Sequence, residues 1–216
     1  MRFHVEHDLI DKILMKNDME FSVKQKDSLL LYAEAIFKIN KSFNLTGLKT
    51  LEEIIDVLIL RSIKPISRKN VPRGTFFLDM GTGAGIPGIP LSVFSENFKG
   101  LLVDSNQKKI SFLEGIVRKL KIDNVDVLCR RLEDLANDQA YREKYQYVFS
   151  RGVGEPFVAM ELGAAFLSIG GLLIIYSNEH HEIISSGLKK ASLKYGLEVL
   201  DEKSKKEHDI QGNVLA

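Results

Sequence analysis

The stretch Asp79-Met80-Gly81-Thr82-Gly83-Ala84-Gly85 is where residue types and spacing are best arranged for chemistry. It directly follows the short apolar run Thr75-Phe76-Phe77-Leu78, which reads as a buried strand. Glycines at alternate positions let the backbone turn tightly and let a ligand approach the main chain closely. A second apolar run, Gly100-Leu101-Leu102-Val103, ends at Asp104, nineteen residues after Gly85. A carboxylate at such a strand end can accept from both hydroxyls of a ribose. Loop and acid together point to a nucleoside-bearing cofactor on a doubly wound sheet.

The spacing also bears on which cofactor. Nicotinamide dinucleotides use G-x-G-x-x-G, with the pyrophosphate on a helix N-terminus. Here the loop reads G-x-G-x-G with Asp79 before it, and Pro87 removes an amide donor near the following helix start. An acid beside the loop suits an ammonium group, which S-adenosylmethionine carries on its methionine end. A ligand-free strand–helix turn is the bland alternative, and Asp104 closing the second strand weighs against it. Metal and thiol chemistry find little support. His4 and His7 have helical spacing but no third ligand nearby, and His180 and His181 are adjacent and point apart. The single cysteine, Cys129, excludes a disulfide framework and reads as a packed small hydrophobe. The aromatics Phe76, Phe77 and Phe166 read as core.

The surrounding elements must hold these residues. Over the first sixty residues apolar side chains recur at helical spacing, as in Leu29, Leu30, Ala33, Ile36 and Phe37, with a further helix around Leu51 to Leu60. From Thr75 onward strands and helices alternate, with strands also at Val125 to Leu128, Tyr145 to Phe149 and Gly171 to Tyr176 and an amphipathic helix over Gln107 to Leu120. The residues after that suggest one more helix and one or two weak strands. Alternation of this kind implies an α/β fold, a mainly parallel sheet covered by helices on both faces. The expected division is an N-terminal helical cap with a basic linker over residues 1–73 and a core over residues 74–216.

The stretch Asp79 to Ser92, DMGTGAGIPGIPLS, resembles the RsmG (GidB) family of methyltransferases acting on bacterial 16S ribosomal RNA. So do Phe43-Asn44-Leu45-Thr46, Arg131-Leu132-Glu133-Asp134 and Ser150-Arg151, in matching order and spacing. The resemblance implies a class I S-adenosylmethionine-dependent methyltransferase with a Rossmann-like, seven-stranded sheet. It implies methyl transfer from S-adenosylmethionine to N7 of a guanine in the 530 loop of 16S rRNA. It places Gly81 and Ile86 along the cofactor, Leu132 and Glu133 by the adenine, and Arg151 at the methionine end or the incoming guanine. With the residues above, the expected cofactor set is Asp79, Gly81, Gly83, Ile86, Asp104, Leu132, Glu133 and Arg151. Three stretches depart from the family. Leu58-Ile59-Leu60-Arg61-Ser62 replaces a His-x-x-Asp-Ser stretch, Ser177-Asn178 stands where Lys-Gly is usual, and the tail lacks a basic ending.

The residue chemistry agrees independently. Guanine N7 already presents a lone pair, so its methylation needs no prior proton removal. Positioning can supply the catalysis. Phe149-Ser150-Arg151-Gly152 stands where an amino-nitrogen methyltransferase would carry Asn-Pro-Pro-Tyr. Arg151, at the end of the fourth strand, is the expected catalytic residue. It requires an acceptor: the cofactor carboxylate, guanine O6, or a bracing carboxylate such as Glu155 or Asp134. Replacing it with alanine is then expected to cut activity with little change in thermal stability.

The partner would be 16S rRNA or the 30S particle. Arg61, Lys64, Arg68, Lys69 and Arg73 form an acid-free basic strip, read as an exposed linker suited to phosphate contacts or simply as a solvated one. Asn44 either lies over the substrate guanine or caps a turn. Overall charge is balanced, with 30 Lys+Arg against 29 Asp+Glu, which excludes a histone-like cationic protein. With 44% hydrophobic and 27% charged residues the composition is that of an ordinary soluble domain. No secretory signal or membrane span is read, so the expectation is a cytoplasmic monomer that binds neither metal nor membrane. A small-molecule methyltransferase and a non-catalytic RNA-binding protein of the same fold are the rival classes, and a dehydrogenase is a more distant one.

Overall fold

A computed structural model describes residues 2–40, 46–176, 181–211 and 214–215, with side chains for 7–40, 46–176, 187–201 and 203–211. Two long helices open the chain, α1 (Arg2–Lys16) and α2 (Val23–Asn40). Their apolar stripes, Ile10, Ile13 and Leu14 on α1 and Leu29, Leu30, Ala33 and Ile36 on α2, are buried. The next helical stretch begins at α3 (Leu51–Glu53). There the Thr50 hydroxyl accepts from the Glu53 N–H, and the Glu53 carboxylate accepts from the Thr50 N–H, a capping box. It widens into a π-helical segment, Ile54–Leu60, then continues through α4 (Arg61–Ile63) and a 3₁₀ turn, Lys64–Ile66.

That continuation corrects the first part of the exposed linker expected from Arg61 to Arg73, over residues 61–66; residues 67–73 form no helix or strand. Ser62, Ile63, Pro65 and Ile66 are all buried. Pro65 sits near the start of the 3₁₀ turn, a position where its missing N–H costs nothing. Burial of these apolar side chains keeps the segment wound.

The sheet is built from β1 (Thr75–Met80), β2 (Phe98–Asp104), β3 (Val125–Cys129), β4 (Tyr145–Arg151), β5 (Leu167–Tyr176) and β6 (Val214–Leu215). Its order is β3-β2-β1-β4-β5-β6. The first five strands pair in parallel, and β6 runs antiparallel to β5. Between them run α5 (Gly88–Phe94), α6 (Gln107–Leu120), α7 (Leu132–Ala136) and α8 (Pro156–Ala164); α9 (His181–Ser192) and α10 (Glu202–Glu207) precede β6. From β1 the chain moves outward through β2 and β3, then returns to lay β4 on the other side of β1. That reversal opens a crevice at the carboxyl ends of β1 and β4.

Six strands are present among the described residues where seven were expected. Residues 197–200 pair with no strand, and Leu197 and Val199 instead pack against the apolar cluster beneath β5. Phe76 is 46% exposed, because alternation along β1 turns it outward while Phe77 is fully buried. Cys129 is also exposed, at the end of the edge strand β3. Both had been expected in the core. Two apolar clusters line the sheet. The one containing Phe77, Phe98 and Phe149 is continuous with Ile10, Leu29 and Ile54 of the N-terminal helices.

Candidate cofactor and active site

Strand register brings the predicted residues to one edge. Asp79 pairs with Leu102 and with Phe149, Met80 pairs with Ser150, and Asp104 pairs with Cys129. The loop after β1, the acid ending β2 and the arginine ending β4 therefore share the carboxyl edge of the sheet. The loop is tied down on several sides. Thr82 N–H donates to the Val103 carbonyl at 2.8 Å, Gly85 N–H to the Thr82 carbonyl at 2.8 Å, and Gly83 N–H to Asp104 Oδ2 at 3.0 Å. Gly81 has φ +61, and a Cβ there would lie 2.4 Å from Val153 Cγ2. Glycine at 81 therefore serves both the turn and the approach of the loop after β4.

Asp79 lies at the end of β1 and is fully buried. Its Oδ2 accepts from the Thr82 hydroxyl at 2.5 Å and from the Gly88 N–H at 2.8 Å, where α5 begins. A Cβ at position 88 would fall 2.8 Å from Oδ2, so glycine lets the helix start meet the carboxylate. Asp79 Oδ1 is buried without a partner among the described residues, as is Ser150 Oγ. Burial pushes the Asp79 carboxyl up to about 7, only partly offset by Thr82, Gly88 and the Arg151 charge.

Asp104 is 7% exposed. Its Oδ1 accepts from the Asn106 N–H at 2.9 Å, and its Oδ2 takes the Gly83 N–H and a longer contact of 3.4 Å from Lys109 Nζ. A carboxylate offers about four lone-pair sites, so acceptor capacity remains for a ribose hydroxyl, and the Lys109 contact can be exchanged for one. An unpartnered carboxylate oxygen for an ammonium, acceptor capacity for a ribose and a glycine turn beside both fit the polar ends of S-adenosylmethionine.

Arg151 is half-buried, with its guanidinium turned to the N-terminal helices. Nη1 donates to the Leu58 carbonyl at 3.2 Å and Nη2 to the Val57 carbonyl at 3.1 Å. The group lies 5.7 Å from the ring centre of Tyr176, whose hydroxyl donates to the Ser62 carbonyl. Burial lowers the Arg151 pKa, opposed by Tyr176, Asp79 and Tyr32, and an arginine stays protonated through such a shift. The acceptors foreseen for Arg151 were anionic groups or a base edge; in this structure they are two main-chain carbonyls across the cap–core boundary.

A profile of the family described as "GidB: rRNA small subunit methyltransferase G" matches residues 25–211. The chain belongs to that family. A relative from Dictyoglomus thermophilum, named "Ribosomal RNA small subunit methyltransferase G", is 37% identical over 153 residues, covering 69% of this chain and 62% of its own length. One of the same name from Mycoplasmoides gallisepticum is 34% identical over 188 residues, covering 85% of this chain and 78% of its own. Among solved structures, M. jannaschii TYW2 in complex with AdoMet shares the fold at 18% identity, with a TM-score of 0.51 over 66% of each chain. The methyltransferase solved with Haloferax volcanii Trm112 does so at 18% identity, with a TM-score of 0.52 over 77% of each chain.

The GidB family match leaves the remaining expected residues to be placed. Gly83 lies beside Asp104, as above. Ile86 and Leu132 are 6% and 9% exposed and pack into the two apolar clusters, while Glu133, next to Leu132, is exposed. The basic strip does not form one face. Arg61 is close enough to Arg151 to lower its pKa and lies 3.8 Å from Asp56; Arg68 pairs with Asp18 at 3.0 Å. Lys69 is partly buried near Asp209, which lowers and raises its pKa respectively, and Arg73 adjoins the amino end of β1. Lys64 is half-buried. Asn44 lies outside the described residues. Among the described residues no three His, Cys, Asp or Glu side chains gather to hold a metal, and no helix is long and apolar enough to cross a membrane.

Tyr32, Thr82 and Tyr176 also line this region without having been given a role from the sequence, and Ser150 was read only as part of the Ser150-Arg151 motif. The usable signal for Tyr32 was a polar tip within the apolar stripe Leu29, Ala33 and Ile36 of α2. Thr82 stood in plain view inside the loop.

Proposed function

We propose that the chain transfers a methyl group from S-adenosylmethionine to N7 of a guanine in the 530 loop of 16S rRNA, acting in the cytoplasm on RNA or on the 30S particle. The observation that carries this reading is membership of the GidB family, and it is supported by a glycine loop held between two carboxylates, Asp79 and Asp104. When bound, the cofactor supplies a methyl group on a sulfonium, an electrophile that the N7 lone pair can take up directly. In this reading Asp79 Oδ1 receives the ammonium and Asp104 a ribose hydroxyl. The glycine turn admits the cofactor to the main chain. Arg151 keeps the cap against the end of β4, which sets where a guanine can enter. No residue is asked to remove a proton before transfer, so the chain's contribution is orientation of two reactants.

The test uses labelled S-adenosylmethionine with free nucleosides, naked 16S rRNA or 30S particles, followed by mapping of the label. Label at a single guanine N7 of the 530 loop is expected. Label on a free small molecule, or none at all, overturns the proposal. Calorimetry of the Asp104→Ala variant should show S-adenosylhomocysteine binding weakened by about 1.5 to 3 kcal/mol, the loss of a hydrogen bond to a charged acceptor. NADH should bind poorly to the unmodified protein.

A further inference from the structure

Tyr32 sits midway along α2, fully buried, and its hydroxyl donates to the carbonyl of Ala84 at 2.7 Å. The acceptor is the centre of the glycine turn, fifty-two residues away. A Cβ at Gly85 would lie 3.1 Å from this hydroxyl, so glycine there leaves room for it. Burial holds the phenol well above its ordinary pKa, with Asp79 adding to the effect, so it remains a donor.

The bond acts on a peptide that could otherwise turn. Gly83 has φ +60 and Gly85 φ +98, so Ala84 lies between two residues free to take either hand. The Ala84–Gly85 peptide gives its carbonyl to Tyr32 and its N–H to the Thr82 carbonyl at 2.8 Å. The peptide bearing that Thr82 carbonyl gives its own N–H, that of Gly83, to Asp104 at 3.0 Å. An unbroken run of hydrogen bonds thus leads from a cap helix, through the turn, to the carboxylate assigned to the ribose.

We propose that Tyr32 is a positioning residue for cofactor binding, holding the glycine turn from the cap side as Asp104 holds it from the core side. This rests on the reading of that turn as the S-adenosylmethionine site. A phenylalanine would fill the same apolar space in α2, so the hydroxyl is the part that the cap's packing does not need.

Calorimetry with S-adenosylhomocysteine on the unmodified protein and on Tyr32→Phe is the first test. The variant should keep its far-ultraviolet circular dichroism and bind about three- to tenfold more weakly, the loss of one neutral hydrogen bond. In turnover, KM for S-adenosylmethionine should rise while kcat at saturating cofactor holds. A variant that melts earlier but binds equally tightly makes Tyr32 a brace only and overturns the proposal. If the unmodified protein binds no S-adenosylhomocysteine, both this inference and the functional reading fail together. A second measurement avoids dependence on the variant's folding. With 3-fluorotyrosine in place of Tyr32, the fluorine resonance should shift when S-adenosylhomocysteine is added; an unmoved resonance in a protein that binds the ligand overturns the proposal.

Discussion

Among the described residues, Asp79 is the carboxyl group whose chemistry departs furthest from the ordinary. A carboxyl normally titrates near 3.9, whereas burial moves this one to about 7. Between those values the folded protein keeps a proton that the unfolded chain has released. Stability therefore falls as pH rises from about 4 to about 7, by up to about 4 kcal/mol, and levels off above. Asp79→Asn is neutral throughout and should lack this contribution. The stability difference between the unmodified protein and Asp79→Asn, from urea unfolding across that range, should move against the unmodified protein as pH rises; a constant difference would contradict the assignment. An ammonium at Oδ1 reverses the preference, because it favours the carboxylate. S-adenosylhomocysteine should then bind more tightly as pH rises through the same window, and binding at its lower end should release a proton. Calorimetry in buffers of different ionisation enthalpy would detect that proton.

At the scale of elements, the π-helical segment Ile54–Leu60 is where the cap meets the end of β4. Such segments are rare and often mark functional positions. Here two successive carbonyls, those of Val57 and Leu58, accept from one guanidinium, and Tyr176 at the end of β5 donates to Ser62 just beyond. This arrangement changes what an Arg151 substitution should do. Arg151→Ala removes two charge-assisted bonds between elements, a cost of about 2 kcal/mol after allowance for its partial exposure. For a chain of this size that lowers Tm by about 4 to 8 °C. Thermal melts should show the drop and methylation assays a loss of activity, in place of the unchanged stability that an arginine serving only a ligand would give. An unchanged Tm would mean that the bonds to Val57 and Leu58 contribute nothing.

For the whole molecule, the placement of the cations sorts the basic strip. Arg61 neighbours Arg151 at the carboxyl edge, while Arg73 lies beyond the other end of β1, about 17 Å away along a strand of this length. RNA whose guanine reaches the crevice would pass Arg61 and need not reach Arg73. Arg61→Ala should weaken RNA binding and reduce the slope of log K against log salt by about 1, and Arg73→Ala should leave both nearly unchanged. Equal effects from the two would show that the RNA lies along the length of the sheet. Each reading is obtained from filter binding at several salt concentrations.

Much of this was legible in the residues alone. The strand–helix alternation, the glycine turn and Asp104 depend on spacings of a few residues, which chain order states directly. The helix α6 has the bounds its periodicity suggested, Gln107–Leu120, because local signals set both ends: Asn106 caps its first turn and Lys121 closes it in the left-handed region. What only the tertiary structure decided depends on contacts that chain order does not encode. Arg151 meets carbonyls ninety-three and ninety-four residues away, and Tyr32 one at fifty-two. That Asp79 Oδ1 has no partner among the described residues follows from which neighbours claim the other oxygen. Phe76 and Cys129 are exposed because one faces outward from its strand and the other ends an edge strand, and strand order is set by packing. Local pattern determined the elements and the loop chemistry; the assembly of the cap on the sheet decided which polar groups were left for a ligand and which were spent holding the two together.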